Sequence, residues 1–79
     1  MKKVTIYSTP TCHFCGLAKE YFTANNIPFD SFDVLSDMAK RTEMLDKSGQ
    51  MGVPVIIIDD HVIVGFDKPK IATALGLNV

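Results

Sequence analysis

Seventy-nine residues, 47% of them apolar, suffice for one domain with one core and are too few for a second. A formal net charge of −1 without a long basic run excludes the electrostatic footprint of a nucleic-acid binder. No apolar run approaches the roughly 20 residues that span a bilayer, and Met1-Lys2-Lys3 precedes too little apolar sequence to read as a signal peptide. A cytoplasmic monomer is expected, with neither nucleic acid nor membrane as a partner.

The first strand is read from Lys3 to Ser8, where Val4, Thr5, Ile6 and Tyr7 are β-branched or aromatic. Thr9-Pro10-Thr11 breaks it, since Pro10 has no N–H for a ladder. From Cys12 the period becomes helical: Cys15, Ala18 and Phe22 share a stripe, with Leu17 and Tyr21 beside it and Thr11 as the expected N-cap. Asn25-Asn26 and Pro28 end that helix. Phe29 to Val34 alternates as a second strand, and the resulting βαβ unit requires parallel strands with a right-handed crossover.

Ser36 is the expected cap of a second helix, with Met38, Thr42 and Leu45 as its inner stripe and Gly49 as its C-terminal stop. Met38, Met44 and Met51 are read as gap-fillers rather than ligands. Val53 to Ile58 forms a third strand, Asp59-Asp60 a turn, and His61 to Val64 a fourth strand antiparallel to the third. Asp67 caps a last helix with Pro69 in its first turn, an inner face of Ile71, Ala74 and Leu75, and Gly76 at its end. The order β-α-β-α-β-β-α predicts an α/β fold: a four-stranded mixed sheet with the first and third helices on one face and the second on the other.

Cys12-His13-Phe14-Cys15 contains the only two cysteines. At a helix start this spacing sets both sulfurs on one face, one turn apart. A bridge between them closes a very small loop and removes little unfolded-state entropy, so it is a poor structural staple. In a cytosolic chain such a pair reads as redox-active or metal-binding. A structural zinc ion needs two more ligands, and beyond carboxylates only His13 and His61 are available, so no metal is expected.

With Cys12-His13-Phe14-Cys15 after the first strand, Gly52-Val53-Pro54 before the third and Gly65-Phe66-Asp67 before the last helix, the chain resembles the glutaredoxin family, the thioredoxin fold in its minimal form. The resemblance implies a dithiol–disulfide oxidoreductase that binds no cofactor and uses glutathione as co-substrate to reduce disulfide-containing proteins or glutathione mixed disulfides. It further implies that Pro54 is a cis-proline, that Val53 offers its backbone to an extended substrate, and that the helix start at Asp67, assisted by Lys68, receives a glutathione carboxylate. Thr11, His13, Phe14, Gly65 and Phe66 complete the implied binding surface, with Phe66 either a wall of the groove or a core plug.

The chain departs from the family pattern. His13-Phe14 stands where dithiol glutaredoxins carry Pro-Tyr, Gly52 where a threonine is usual, and Val64-Gly65-Phe66-Asp67-Lys68 where Gly-Gly-Cys-Asp-Asp is usual. A Gly-Phe pair also occurs in the glutaredoxin-like redoxins that serve ribonucleotide reductase and take electrons from thioredoxin reductase. That reductase is therefore the alternative electron source, and an iron–sulfur cluster carrier is the alternative class of function.

The helix N-terminus favours negative charge on Cys12, which is therefore the attacking thiolate, and Cys15, one turn in, is the resolving thiol. His13, when charged, adds to thiolate stability. Phe14 is expected half-exposed beside Cys12.

Overall fold

Residues 3–50 and 52–76 are described by the structure, a computed structural model. Seven elements follow in the expected order: β1 (Val4–Ser8), α1 (His13–Ala24), β2 (Asp30–Asp33), α2 (Met38–Ser48), β3 (Val55–Ile58), β4 (His61–Val64) and α3 (Lys68–Leu75). The strands form one sheet in the order β2-β1-β3-β4. The crossover through α1 makes β1 and β2 parallel, with Ser8 opposite Asp33. β3 runs antiparallel to β1, Tyr7 facing Val55. The two-residue Asp59-Asp60 loop returns the chain into β4, so that Ile58 faces His61. Asp59 takes φ 53°, the left-handed conformation that such a short loop needs and that aspartate tolerates.

Side-chain alternation divides the core between the two faces of the sheet. Val4, Ile6, Ile56, Ile58 and Ile63 pack with Ala18 and Phe22 of α1 and Ile71 and Ala74 of α3. Tyr7, Val55 and Ile57 pack on the other face with Val34 and with Met44 of α2. α1 and α3 therefore share one face and α2 takes the other, as expected. β3 is buried along its whole length, because a central strand with helices on both faces meets no water.

The sequence reading is corrected at several boundaries. Cys12, not Thr11, is the N-cap of α1, and Asp37, not Ser36, caps α2, its Oδ1 accepting the Lys40 N–H at 3.1 Å. Ser36 instead donates its hydroxyl to Asp33 Oδ2 at 3.1 Å. β2 is shortened to Asp30–Asp33, and β3 starts at Val55 because Pro54 contributes no N–H to the ladder. Asp67 and Gly76 bound α3 as expected, with Ala72 buried beside Ile71 and Ala74.

The inner face of α2 also differs from the expected stripe. Met38 is 69% exposed and Leu45 40%, while Met44 alone among the helix residues is buried. The rotation follows from Tyr7. Its ring is fully buried, so its hydroxyl requires a partner, and Glu43 supplies one, accepting the O–H at 2.7 Å. Lys40 bridges Glu43 at 3.1 Å and lies over the Phe32 ring at 4.1 Å. Holding Lys40 and Glu43 over β1 and β2 turns Met38 outward. Of the three methionines read as gap-fillers, Met44 fills the core, Met38 does not, and Met51 lies outside the described residues.

Burial first, then the hydrogen bond to Glu43 and its charge, hold the Tyr7 hydroxyl well above the usual tyrosine range. The Tyr7 hydrogen bond and then Lys40 hold the Glu43 carboxyl below its usual value. A raised folded-state pKa stabilises below the unfolded value and loses that contribution as pH rises through the folded one. Tyr7→Phe is expected to lower stability at pH 7 by about 1–2 kcal/mol, since a hydrogen bond to a charged group is lost. It is also expected to remove part of the fall in stability above pH 10 that the parent shows in urea titrations. The Glu43 contribution has the opposite sign: it is present at neutral pH and lost as acid titrates the folded carboxylate.

Candidate active site

All four strands have an end on one side of the sheet, and three of the segments that leave there carry the site. β1 ends at Ser8 and passes through Thr9, Pro10 and Thr11 into α1. β3, antiparallel to β1, begins at that same end, immediately after a cis Val53–Pro54 peptide. β4 finishes there too, and the Gly65 N–H donates to the Pro54 carbonyl at 2.8 Å. Gly65 has φ 84°, which a β-carbon would strain; it turns the chain from β4 toward the Asp67 cap of α3. The N-termini of α1 and α3 and the cis-proline segment thus share the end of the sheet that carries the cysteines.

Cys12 and Cys15 are both free thiols. Cys12 is partly exposed, with an extended backbone at φ −81°, ψ 113°. Its sulfur acts as the helix cap, accepting the Cys15 N–H at 3.2 Å. Serine, threonine and aspartate oxygens usually do this; a sulfur here satisfies an orphan N–H and receives that donor's partial positive charge in return. The Cys12 N–H is itself fixed, donating to the Thr9 carbonyl at 3.2 Å.

Cys15 is 1% exposed. Burial, followed by its hydrogen bond to Cys12, pushes its thiol up from 9.0 to about 11; the Thr9 backbone opposes this, the Cys12 charge adds a lesser upward effect, and Lys19 opposes least. The two sulfurs are unequal in access, and the buried Cys15 thiol is held protonated, an arrangement that suits an accessible nucleophile with a resolving thiol behind it. Lys19 stands four residues after Cys15, on the same side of the helix, and that spacing is the sequence signal for its electrostatic contact.

The Cys15 shift carries a pH prediction. Its stabilisation of the dithiol form is complete below about pH 9 and is lost as pH rises toward 11. Urea titrations of the reduced protein are expected to show a loss on the order of 2 kcal/mol over that interval. Cys15→Ala is expected to flatten it.

Thr11 and His13 are exposed, and the His13 ring meets the Phe14 ring edge-on with 5.6 Å between centroids. Phe14 is 58% exposed, as the sequence reading anticipated. Val53 is half-buried, and among the described residues neither its N–H nor its C=O has a hydrogen-bond partner. Pro54 is buried. Phe66 is half-buried against the α1/α3 core and edge-on to Tyr21, with 6.0 Å between centroids, so its contacts are those of a plug. Asp67 Oδ1 accepts the Lys70 N–H at 3.3 Å, and the Lys68 ammonium lies 5.6 Å from the Tyr21 ring centre. Among the described residues no three His, Cys, Asp or Glu side chains gather where they could hold a metal ion, and no helix is long and apolar enough to cross a membrane.

A sulfur-capped helix with a second, buried thiol one turn in, at the cis-proline end of a four-stranded sheet, defines a redox protein of the thioredoxin fold. The chain belongs to the glutaredoxin family, whose model matches residues 4–63. It is 52% identical over 68 residues to a glutaredoxin-like 8.6 kDa protein in the rubredoxin operon of Clostridium pasteurianum, covering 86% of this chain and 91% of that one. It is 37% identical over 76 residues to glutaredoxin 3 of Escherichia coli K12, covering 96% and 92%. Among solved structures, a mutant of the thioredoxin-like protein BC3987 superposes with a TM-score of 0.91 at 33% identity, covering 99% of this chain and 100% of that one.

Proposed function

We propose that this chain is a cytoplasmic dithiol oxidoreductase that acts as a monomer and reduces protein disulfides and glutathione mixed disulfides. The observation that carries the reading is the Cys15 N–H held on Cys12 Sγ while the Cys15 thiol is buried behind it. The Cys12 thiolate attacks one sulfur of the substrate disulfide, and the other leaves as a thiolate and takes a proton. Once Cys12 is bonded it carries no charge, and two of the influences that keep Cys15 protonated vanish. Cys15 then loses its proton and attacks Cys12 Sγ, releasing the second substrate thiol and closing the Cys12–Cys15 disulfide. Two electrons pass to the substrate, and an external reductant restores the dithiol.

The unpaired backbone of Val53 suits an extended substrate segment beside Cys12, by strand addition. Thr11, His13 and Phe14 border the same approach, and Gly65 and Asp67 bound it from the segment leading into α3, with Phe66 plugged into the core behind them. Glutathione is the proposed co-substrate, and the start of α3 is its proposed carboxylate site. That start has few free donors: Pro69 has no N–H, and the Lys70 N–H is taken by Asp67. This sparse donor set and the Gly65-Phe66 pair favour weighing thioredoxin reductase as the second candidate reductant.

The test supplies the oxidised protein and NADPH with glutathione plus glutathione reductase, and separately with thioredoxin reductase. NADPH consumption with glutathione is the expected result. Consumption with thioredoxin reductase alone assigns the other reductant, and consumption with neither overturns the reading.

A further inference from the structure

The exposed large apolar side chains are unevenly placed. Phe14, Leu35, Met38 and Val64 are 58%, 64%, 69% and 51% exposed, whereas Leu45 and Val62 are only 40% and 41% exposed. Among the described residues, the four most exposed all lie at the cysteine end of the sheet. Phe14 lies between Cys12 and Cys15, in the first turn of α1, and Val64 is the last residue of β4, which ends there. Leu35 and Met38 reach that end by a separate route. β1 and β2 are adjacent and parallel, Ser8 faces Asp33, and the Val34 N–H donates to the Ser8 carbonyl at 2.9 Å. The chain therefore leaves toward Cys12 from one strand and toward Leu35 from its neighbour, about 4.8 Å away.

The turn that carries Leu35 is tied down. Asp33 Oδ1 accepts the Leu35 N–H at 2.9 Å, Asp33 Oδ2 accepts the Ser36 hydroxyl at 3.1 Å, and the Asp33 carbonyl accepts the Asp37 N–H at 3.0 Å. Single exposed leucines need no explanation. Here a rigid turn displays one in water, next to a methionine rotated out of the core, on the edge of a reaction site. A pre-ordered apolar contact loses little entropy when a partner covers it.

We infer that Leu35 and Met38 form a second apolar contact zone that selects protein disulfides over glutathione mixed disulfides. The occupant is the apolar chain flanking the disulfide of a protein substrate, continuous with the part of that substrate at Cys12. Glutathione, a small and hydrophilic tripeptide, gains nothing from such a surface. The inference rests on the dithiol oxidoreductase reading and names a specificity determinant for it, on the α2 side of the sheet and away from the α3 side proposed for glutathione.

The experiment compares kcat/KM for insulin disulfides with that for the mixed disulfide of glutathione and mercaptoethanol, using the full chain. In the double variant Leu35→Ser/Met38→Ser the ratio of the two is expected to fall about tenfold, the scale of one lost apolar anchor. Leu45→Ser, a surface substitution away from this end, is the control and is expected to leave the ratio unchanged. An unchanged ratio in the double variant overturns the inference, as does an equal loss with Leu45→Ser. A parent chain that reduces the mixed disulfide but not insulin also overturns it while leaving the oxidoreductase reading intact. A parent that reduces neither overturns both.

Discussion

Cys12→Ser is expected to bring disulfide turnover down to the uncatalysed rate, whereas Cys15→Ser is expected to stop the cycle half-way. The difference follows from the geometry. Only the Cys12 sulfur is accessible, and the Cys15 N–H is already directed at it. A serine hydroxyl at position 12 can still cap α1, so the fold is expected to persist, but an alcohol at neutral pH is no nucleophile toward sulfur. With Cys15→Ser the first exchange proceeds and nothing resolves it. The protein should then accumulate as a mixed disulfide, visible as a mass increase equal to the bound thiol and removed by dithiothreitol. With a glutathione mixed disulfide, external glutathione can take the place of Cys15 and a monothiol turnover remains. Turnover by Cys12→Ser equal to that of the parent would overturn the assignment of the nucleophile.

The second large effect concerns the scaffold. Phe22→Ala is expected to cost about 3–5 kcal/mol, the range for truncating a buried phenylalanine. Phe22 is fully buried between α1 and the sheet, with its ring 5.5 Å from that of Phe29 and 6.0 Å from that of Tyr21. No backbone rearrangement local to α1 can fill the space, because Ala18 on the preceding turn and Ile56 and Ile58 on the sheet are themselves packed. A chain of 79 residues has a total stability toward the lower end of the usual 5–15 kcal/mol. The variant is therefore expected to be substantially unfolded at 37 °C, as circular dichroism and a urea titration would show. A midpoint within about 1 kcal/mol of the parent would mean that Phe22 is not the keystone of the α1/α3 layer.

Much of the fold was legible because its signals are local. The switch from strand alternation to helical spacing at Cys12, the Asn25-Asn26 stop, the Asp59-Asp60 hairpin and the Asp67 cap each depend on a few neighbouring residues, and each recurs in the structure. The same holds for the spacing of Cys12 and Cys15 and for their order along α1. The misread helix caps were those where two nearby residues could play one part. Thr11 and Cys12 both qualify as a cap, as do Ser36 and Asp37, and the choice depends on where the backbone of the preceding strand delivers the chain.

By itself, then, the sequence determined the order of elements, the parallel and antiparallel pairings that connection length imposes, and the spacing of the two cysteines at the start of α1. Tertiary structure decided what depends on contacts across the sheet. The buried Tyr7 hydroxyl needed an acceptor, and meeting that need with Glu43 turned α2 so that Met44 entered the core and Met38 faced water. Burial of Cys15 beneath the first turn of α1, which no spacing rule states, is what raises its thiol and separates its role from that of Cys12. The meeting of Cys12, the Val53–Pro54 segment, Gly65 and Leu35 at one end of the sheet is likewise a property of topology. These residues come from separate segments, and the pairing of β1 with β2 and β3, and of β3 with β4, brings those segments together.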